Sequence, residues 1–223
     1  QIAFMTDNVL PSNRWLAVSN LDGTSAQTIE PLGENADKVT VSWSPNNQII
    51  AFSETGEAMG TWLQEIYPIG LHGENFRSLI VNGRGFEPKW SPTGEKLLYS
   101  VYNSESDYKP VLWITDCYGD NIGLNNKSLK INTWTDKCTF SSSGTELYCA
   151  VPLSLEKGSG LFPEMNLYTP DSFYKINLRT GSKSLLAQPS GTYNAENLFI
   201  SPDGTYLYFT DKISGQLQQI RLK

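Results

Sequence analysis

A short pattern recurs four times along this chain, and a repeat of its length limits the fold to a few architectures. The copies are VTVSWSPNNQIIAFSE from Val39, FEPKWSPTGEKLLYSV from Phe86, KCTFSSSGTELYCAVP from Lys137 and NLFISPDGTYLYFTDK from Asn197. Each has a large apolar residue (Trp43, Trp90, Phe140 or Ile200), then Ser, usually Pro, a turn and a strand. The leading serines, Ser44, Ser91, Ser141 and Ser201, are spaced by 47, 50 and 60 residues. Pro at the second turn position presets φ near −65° for a type I turn. Gly two residues later (Gly94, Gly144, Gly204) supplies the positive φ that closes a short hairpin. Asn47 takes that role in the first copy.

A second pattern follows each hairpin: an apolar strand, a tight turn at Gly23, Gly73, Gly119 or Gly181, and another strand. The opening Ile2-Ala3-Phe4 matches Ile50-Ala51-Phe52, so the chain begins inside a fifth copy, at its second strand, and reads as the middle of something longer. The last copy stops without its partner strand. The count is three, four, four, four and three strands, with no convincing helix. Four-stranded units with a period near 45 are the signature of propeller blades. A single blade cannot bury both its faces, so blades stack radially, and their strands read as apolar on both sides. The expected fold is all-β: a β-propeller of about five four-stranded blades, the first and last incomplete. It forms one domain over 1–223, with blades near 1–36, 37–83, 84–132, 133–190 and 191–223.

Composition excludes several functions. Aromatics at 12% argue against disorder, and charged residues are only 18%, against about 25% in an average domain. The net charge is −6 and no basic stripe interrupts it, so no nucleic-acid partner is expected. No apolar run approaches the ~20 residues of a membrane helix, and no signal-like start is present. His72 is the sole histidine and sits in a turn, which discourages both a zinc site and a Ser-His-Asp triad. No Gly-x-Ser-x-Gly nucleophile elbow accompanies it. No cofactor and no metal site are expected.

The repeat resembles the TolB-type, WD40-like propeller repeat, an apolar or Trp residue followed by Ser-Pro-Asp-Gly and an Ile-Ala-Phe-like strand. Ile200-Ser201-Pro202-Asp203-Gly204 is the nearest copy. Asn20-Leu21-Asp22-Gly23 and Asp116-Cys117-Tyr118-Gly119 look like that family's Asp-x-Asp-Gly turn. The resemblance covers almost the whole chain and implies a fold. Its motif residues are turn and core positions, so it implies no single function. Such repeats occur in periplasmic TolB, beside prolyl-oligopeptidase-like hydrolases and in envelope proteins. An extracytoplasmic location follows as an expectation.

Cys138 and Cys149 flank the third hairpin. With Ser141 facing Glu146 across a four-residue loop, antiparallel partners sum to 287, and so do these two cysteines. Opposed Cα atoms at about 4.5 Å suit a disulfide; two buried thiols are the other reading. Cys117 is left over. The enzymatic alternative is glycoside hydrolysis or sugar binding by channel carboxylates, for which Glu87, Asp136 and Glu196 are the candidates. Glu87 lies two residues from Lys89, and Asp136 adjoins Lys137, so paired or solvated charges are the plain reading. Calcium at Asp116, Asp120 and Asn121 competes with simple turn capping. Asn126-Lys127-Ser128 is a glycosylation sequon, which chance also produces.

The 60-residue spacing leaves an excess at 151–172, between the second and third strands of the fourth blade. In a propeller that loop shares a face with the blade-to-blade connections. Its apolar residues either pack on the propeller, covering the channel mouth, or form a patch for a partner protein. The binding candidates are Trp62, Tyr102, Tyr108, Phe162, Met165 and Tyr168. The expected function is a non-catalytic scaffold whose partner is another protein on this face.

Overall fold

A computed structural model describes residues 1–6 and 13–222. Its strands form five sheets, each an antiparallel meander in chain order, numbered here as blades 1–5. Blade 1 holds β1 (Ile2–Met5), β2 (Trp15–Ser19) and β3 (Gln27–Pro31). Blade 2 holds β4 (Val39–Val41), β5 (Ile49–Ser53), β6 (Leu63–Gly70) and β7 (Leu79–Asn82). Blade 3 holds β8 (Arg84–Trp90), β9 (Lys96–Tyr102), β10 (Val111–Asp116) and β11 (Lys127–Ser128). Blade 4 holds β12 (Cys138–Phe140), β13 (Glu146–Pro152), β14 (Asp171–Asn177) and β15 (Lys183–Ala187). Blade 5 holds β16 (Ala195–Ile200), β17 (Tyr206–Asp211) and β18 (Leu217–Arg221). The first and last sheets therefore hold three strands each and the middle three hold four. Among the described residues, helical structure is limited to short 3₁₀ segments, and no helix is long and apolar enough to cross a membrane.

The leading serines explain why each hairpin forms. Each Ser N–H bonds the carbonyl five residues on, as Ser91 does to Lys96 and Ser201 to Tyr206, both at 2.9 Å. The hydroxyl then accepts the backbone N–H of that same later residue: Ile49 to Ser44, Lys96 to Ser91, Glu146 to Ser141 and Tyr206 to Ser201, at 2.9–3.1 Å. A hydroxyl at this position closes the loop from inside, where Ala would leave donors unpaired. The closing residues Asn47, Gly94, Gly144 and Gly204 have φ of +60°, +71°, +69° and +68°. The third hairpin keeps this geometry without Pro.

The core is four clusters, one per blade junction. β9 shows the arrangement. Leu97, Tyr99 and Val101 point into the cluster shared with blade 2, while Leu98 points into the one shared with blade 4. β13 repeats it, with Leu147 and Cys149 towards blade 3 and Tyr148 and Ala150 towards blade 5. A period-2 strand thus feeds two interfaces, which is why the middle strands carry so little charge. Burying each Leu contributes roughly 1.5–3 kcal/mol. Polar stitches cross the same junctions. Trp90 Nε1 donates to Ser42 O at 3.0 Å, and Asn46 Nδ2 donates to Gly94 O at 2.9 Å. Among the described residues no core cluster joins blade 5 to blade 1. The far face of blade 5 shows Phe199, 48% exposed, stacked on Tyr208.

Candidate functional site

The loops between second and third strands and the blade-to-blade connections meet on one face. The insertion there, residues 153–170, is fixed by its backbone. Gly158 N donates to Asp107 O at 2.9 Å and Gly160 N to Tyr108 O at 2.7 Å. Both acceptors belong to left-handed residues, φ +55° and +58°, in a loop capped by the Asn103 side chain. Gly160 is required for this docking, because a Cβ there would stand 2.7 Å from the Tyr102 side chain.

Beneath the insertion lies a buried ion pair. Lys137 Nζ donates to Asp171 Oδ2 at 2.7 Å, to Ala195 O at 2.9 Å and to the Asn194 carbonyl oxygen. The two side chains are 8% and 0% exposed. Asn194 Nδ2 passes the network on to Asn166 O and Leu167 O, at 3.1 and 2.7 Å. Blade 4, blade 5 and the insertion are thereby joined through one ammonium.

The six aromatic and Met candidates separate into two layers. Trp62, Tyr102 and Tyr108 are half-buried, and the Trp62 and Tyr108 rings meet edge to face at 5.6 Å. Arg84 holds the Trp62 loop through the carbonyls of Thr61 and Trp62. Phe162, Met165 and Tyr168 are 55%, 51% and 72% exposed. Met59, 60% exposed, lies on the same face. Sequence reasoning did not single it out, although a Met between two Gly residues in a strand-connecting loop was a visible signal. The residues that line the central cavity come from the inner strands and from Thr135 and Asp136, not from the insertion.

That cavity, about 390 Å³, is lined by Thr40, Phe86, Glu87, Pro88, Lys89, Thr135, Asp136 and Asn197. The lysines adjacent in sequence do not supply a pairing partner, and Glu87 stays exposed. Lys89 donates to the Cys138 and Thr135 carbonyls, and Lys137 turns inward to Asp171, so neither lysine pairs with the carboxylate near it in sequence. Glu87 is reached by water yet ringed by channel atoms. This desolvation and the charge of Asp136 raise its carboxyl pKa, while the Ser100 hydroxyl, donating at 3.1 Å, opposes the rise. Burial also lowers the Lys89 ammonium pKa. Glu196 is set apart from this pair, 3.9 Å from Lys212. A carboxyl whose pKa is raised by desolvation and by a like charge is what this arrangement offers chemically.

Cys138 and Cys149 are directly opposed and disulfide-bonded, with Cα atoms 4.1 Å apart. Cys117 is buried, and its thiol pKa is pushed up to about 12 by that burial. The calcium reading fails. Asp116 accepts Lys96 Nζ on one oxygen and Asn125 Nδ2 on the other. No group of three His, Cys, Asp or Glu able to hold a metal occurs among the described residues. The sequon amide of Asn126 donates to Ile80 O and accepts from the Tyr99 hydroxyl.

No protein family matches the sequence, and no curated protein does. Solved structures do. An oligogalacturonate lyase in complex with manganese is similar at 13% identity over 94% of this chain and 54% of that one, with a TM-score of 0.55. An acylaminoacyl peptidase from Pyrococcus horikoshii is similar at 13% identity over 98% of this chain and 36% of that one, TM-score 0.59. A putative TolB from Agrobacterium tumefaciens, at 16% identity over 81% of this chain and 56% of that one, is more distant in geometry at 0.47. The chain spans about half the length of the lyase and of the TolB. At such identities the likeness shows the fold, a TolB-like β-propeller fold, and leaves activity to the residues.

Proposed function

We propose that this chain is a non-catalytic propeller scaffold that docks another protein on its loop face, in the cell envelope or outside the cell. The observation that carries the reading is the insertion itself. It is tied down by backbone bonds and a buried ion pair, yet it holds Phe162, Met165 and Tyr168 outward. A loop that had only to cover the propeller would turn such side chains inward. A pre-ordered apolar patch binds at small entropic cost, and Tyr and Met are enriched at interfaces. The disulfide supports an oxidising compartment. In an extract of the source organism, the double variant Phe162→Asp/Tyr168→Asp is expected to migrate as the free chain while wild type migrates in a larger complex. Identical migration of the two sinks the proposal.

A second reading, a carbohydrate-active propeller, is favoured by one observation: Glu87 and Asp136 line the same central cavity, where desolvation and their like charges raise the Glu87 pKa. Cleavage of an oligosaccharide by the purified chain, lost in Glu87→Gln or Asp136→Asn, would establish it. The same products from wild type and both variants would remove it.

A further inference from the structure

One concavity of this acidic chain is lined by three lysines and no carboxylate. A cleft of about 350 Å³ lies where the connection between blades 3 and 4 meets β15 and the first residues of the insertion. Lys109, Lys130 and Lys183 line it, and no Asp or Glu does. None of the three makes an ion pair with a described carboxylate, although the chain carries 23 acidic residues against 17 basic ones. The rest of the wall is largely apolar, with Ile131 buried and Leu153 54% exposed.

One ammonium and the backbone that carries the other two lysines are held by local structure. Lys183 Nζ donates to Lys130 O at 3.0 Å, which fixes one ammonium at the rim. Lys130 adopts φ +53°, and its N–H donates to Ser128 Oγ at 3.1 Å. Asn132 Nδ2 donates to Pro110 O at 3.1 Å and ties this connection to the loop that carries Lys109. Tyr174 also lines the cleft, and among the described residues its hydroxyl makes no hydrogen bond. Like charges converging without a counterion repel, and an entering anion relieves that repulsion while accepting several hydrogen bonds.

We infer that this cleft binds an oxyanion, a carboxylate, sulfonate or phosphate group, carried on an apolar body that lies over Ile131 and Leu153. The ammonium groups and the Tyr174 hydroxyl take the anion, and the aliphatic wall takes the body. The site is separate from the exposed patch of the loop face and does not depend on its role.

Two probes with the same ring system test the assignment: 8-anilinonaphthalene-1-sulfonate, and N-phenyl-1-naphthylamine, which lacks the sulfonate. The triple variant Lys109→Gln/Lys130→Gln/Lys183→Gln is expected to bind the sulfonate at least about tenfold more weakly. Its affinity for the neutral probe stays within about twofold. Raising salt weakens only the sulfonate, since exposed charges are screened over about 10 Å at 0.1 M. Three results overturn the inference: no sulfonate binding by wild type, unchanged sulfonate binding in the variant, or equal loss of both probes. If the triple variant does not melt cooperatively, the single variants Lys109→Gln and Lys130→Gln replace it, each expected to weaken the sulfonate and spare the neutral probe, with the same overturning results.

Discussion

Removing either partner of the Lys137–Asp171 pair should be the most damaging single polar change in this molecule. The pair is essentially dry, and Lys137 spends its three donors on Asp171, Asn194 and Ala195. Lys137→Met leaves a buried carboxylate without a counter-charge, held only by the Ala195 N–H. Asp171→Asn leaves a buried ammonium with only neutral acceptors. Loss of one partner of a buried pair costs about 3–5 kcal/mol. For a chain of this size each kcal/mol moves Tm by about 2–4 °C, so the melting midpoint should fall by roughly 6–20 °C. Lys137→Met/Asp171→Leu removes both charges and should recover much of the loss, because no uncompensated charge remains. Denaturant titration gives the free energies, and hydrogen exchange gives the local effect. Amides of the insertion, at Gly158 and Gly160, should exchange faster in Asp171→Asn, since Asp171 ends the insertion and Asn194 bonds its carbonyls. Single variants costing under about 1 kcal/mol, or a double variant costing the sum of the two, would refute the reasoning.

Three further outcomes follow from the same geometry. Reducing the Cys138–Cys149 bridge, which closes a loop of sequence separation 11, should cost about 3 kcal/mol and lower Tm by roughly 6–12 °C. Denatured but unreduced protein should show one reactive thiol, Cys117; three would contradict the bridge. Asp136→Asn removes a like charge and should lower the Glu87 pKa, read by carboxyl NMR, whereas Ser100→Ala should raise it further; no movement in either variant contradicts the pairing. The Asp203 carboxyl is held down to about 2 by the Ser201 hydroxyl and by Thr205, so its stabilisation of the turn is present above the ordinary carboxylate range and is lost as pH falls through about 2. Ser201→Ala should bring that pKa up towards the ordinary value, and a value still near 2 would point to another cause.

The repeat made the strands legible because each hairpin is closed locally. Ser141 and Gly144 fix the register within one loop, and from it the pairing of Cys138 with Cys149 follows by counting. The functional face was legible only in outline. The 60-residue spacing marked an insertion, but which residues face water depends on the docking of Gly158 and Gly160 on carbonyls about 50 residues earlier in the chain. The lysines were the least legible. Adjacency placed Lys89 and Lys137 beside Glu87 and Asp136, yet a long flexible stem lets each head choose a partner from another element. Lys137 takes Asp171, 34 residues away, and Lys89 takes Cys138 O, 49 residues away. The cleft of Lys109, Lys130 and Lys183 has no sequence signature, since the blade stacking alone brings those three positions together.

Site-specific photo-crosslinking in the source organism tests the scaffold proposal most directly. A photoreactive residue at position 165, on the exposed insertion, should give a discrete adduct with one protein. The same group at position 93, on the exposed hairpin turn at the opposite end of the blades, should give none. Adducts of equal yield from both positions, or none from position 165, would contradict the account.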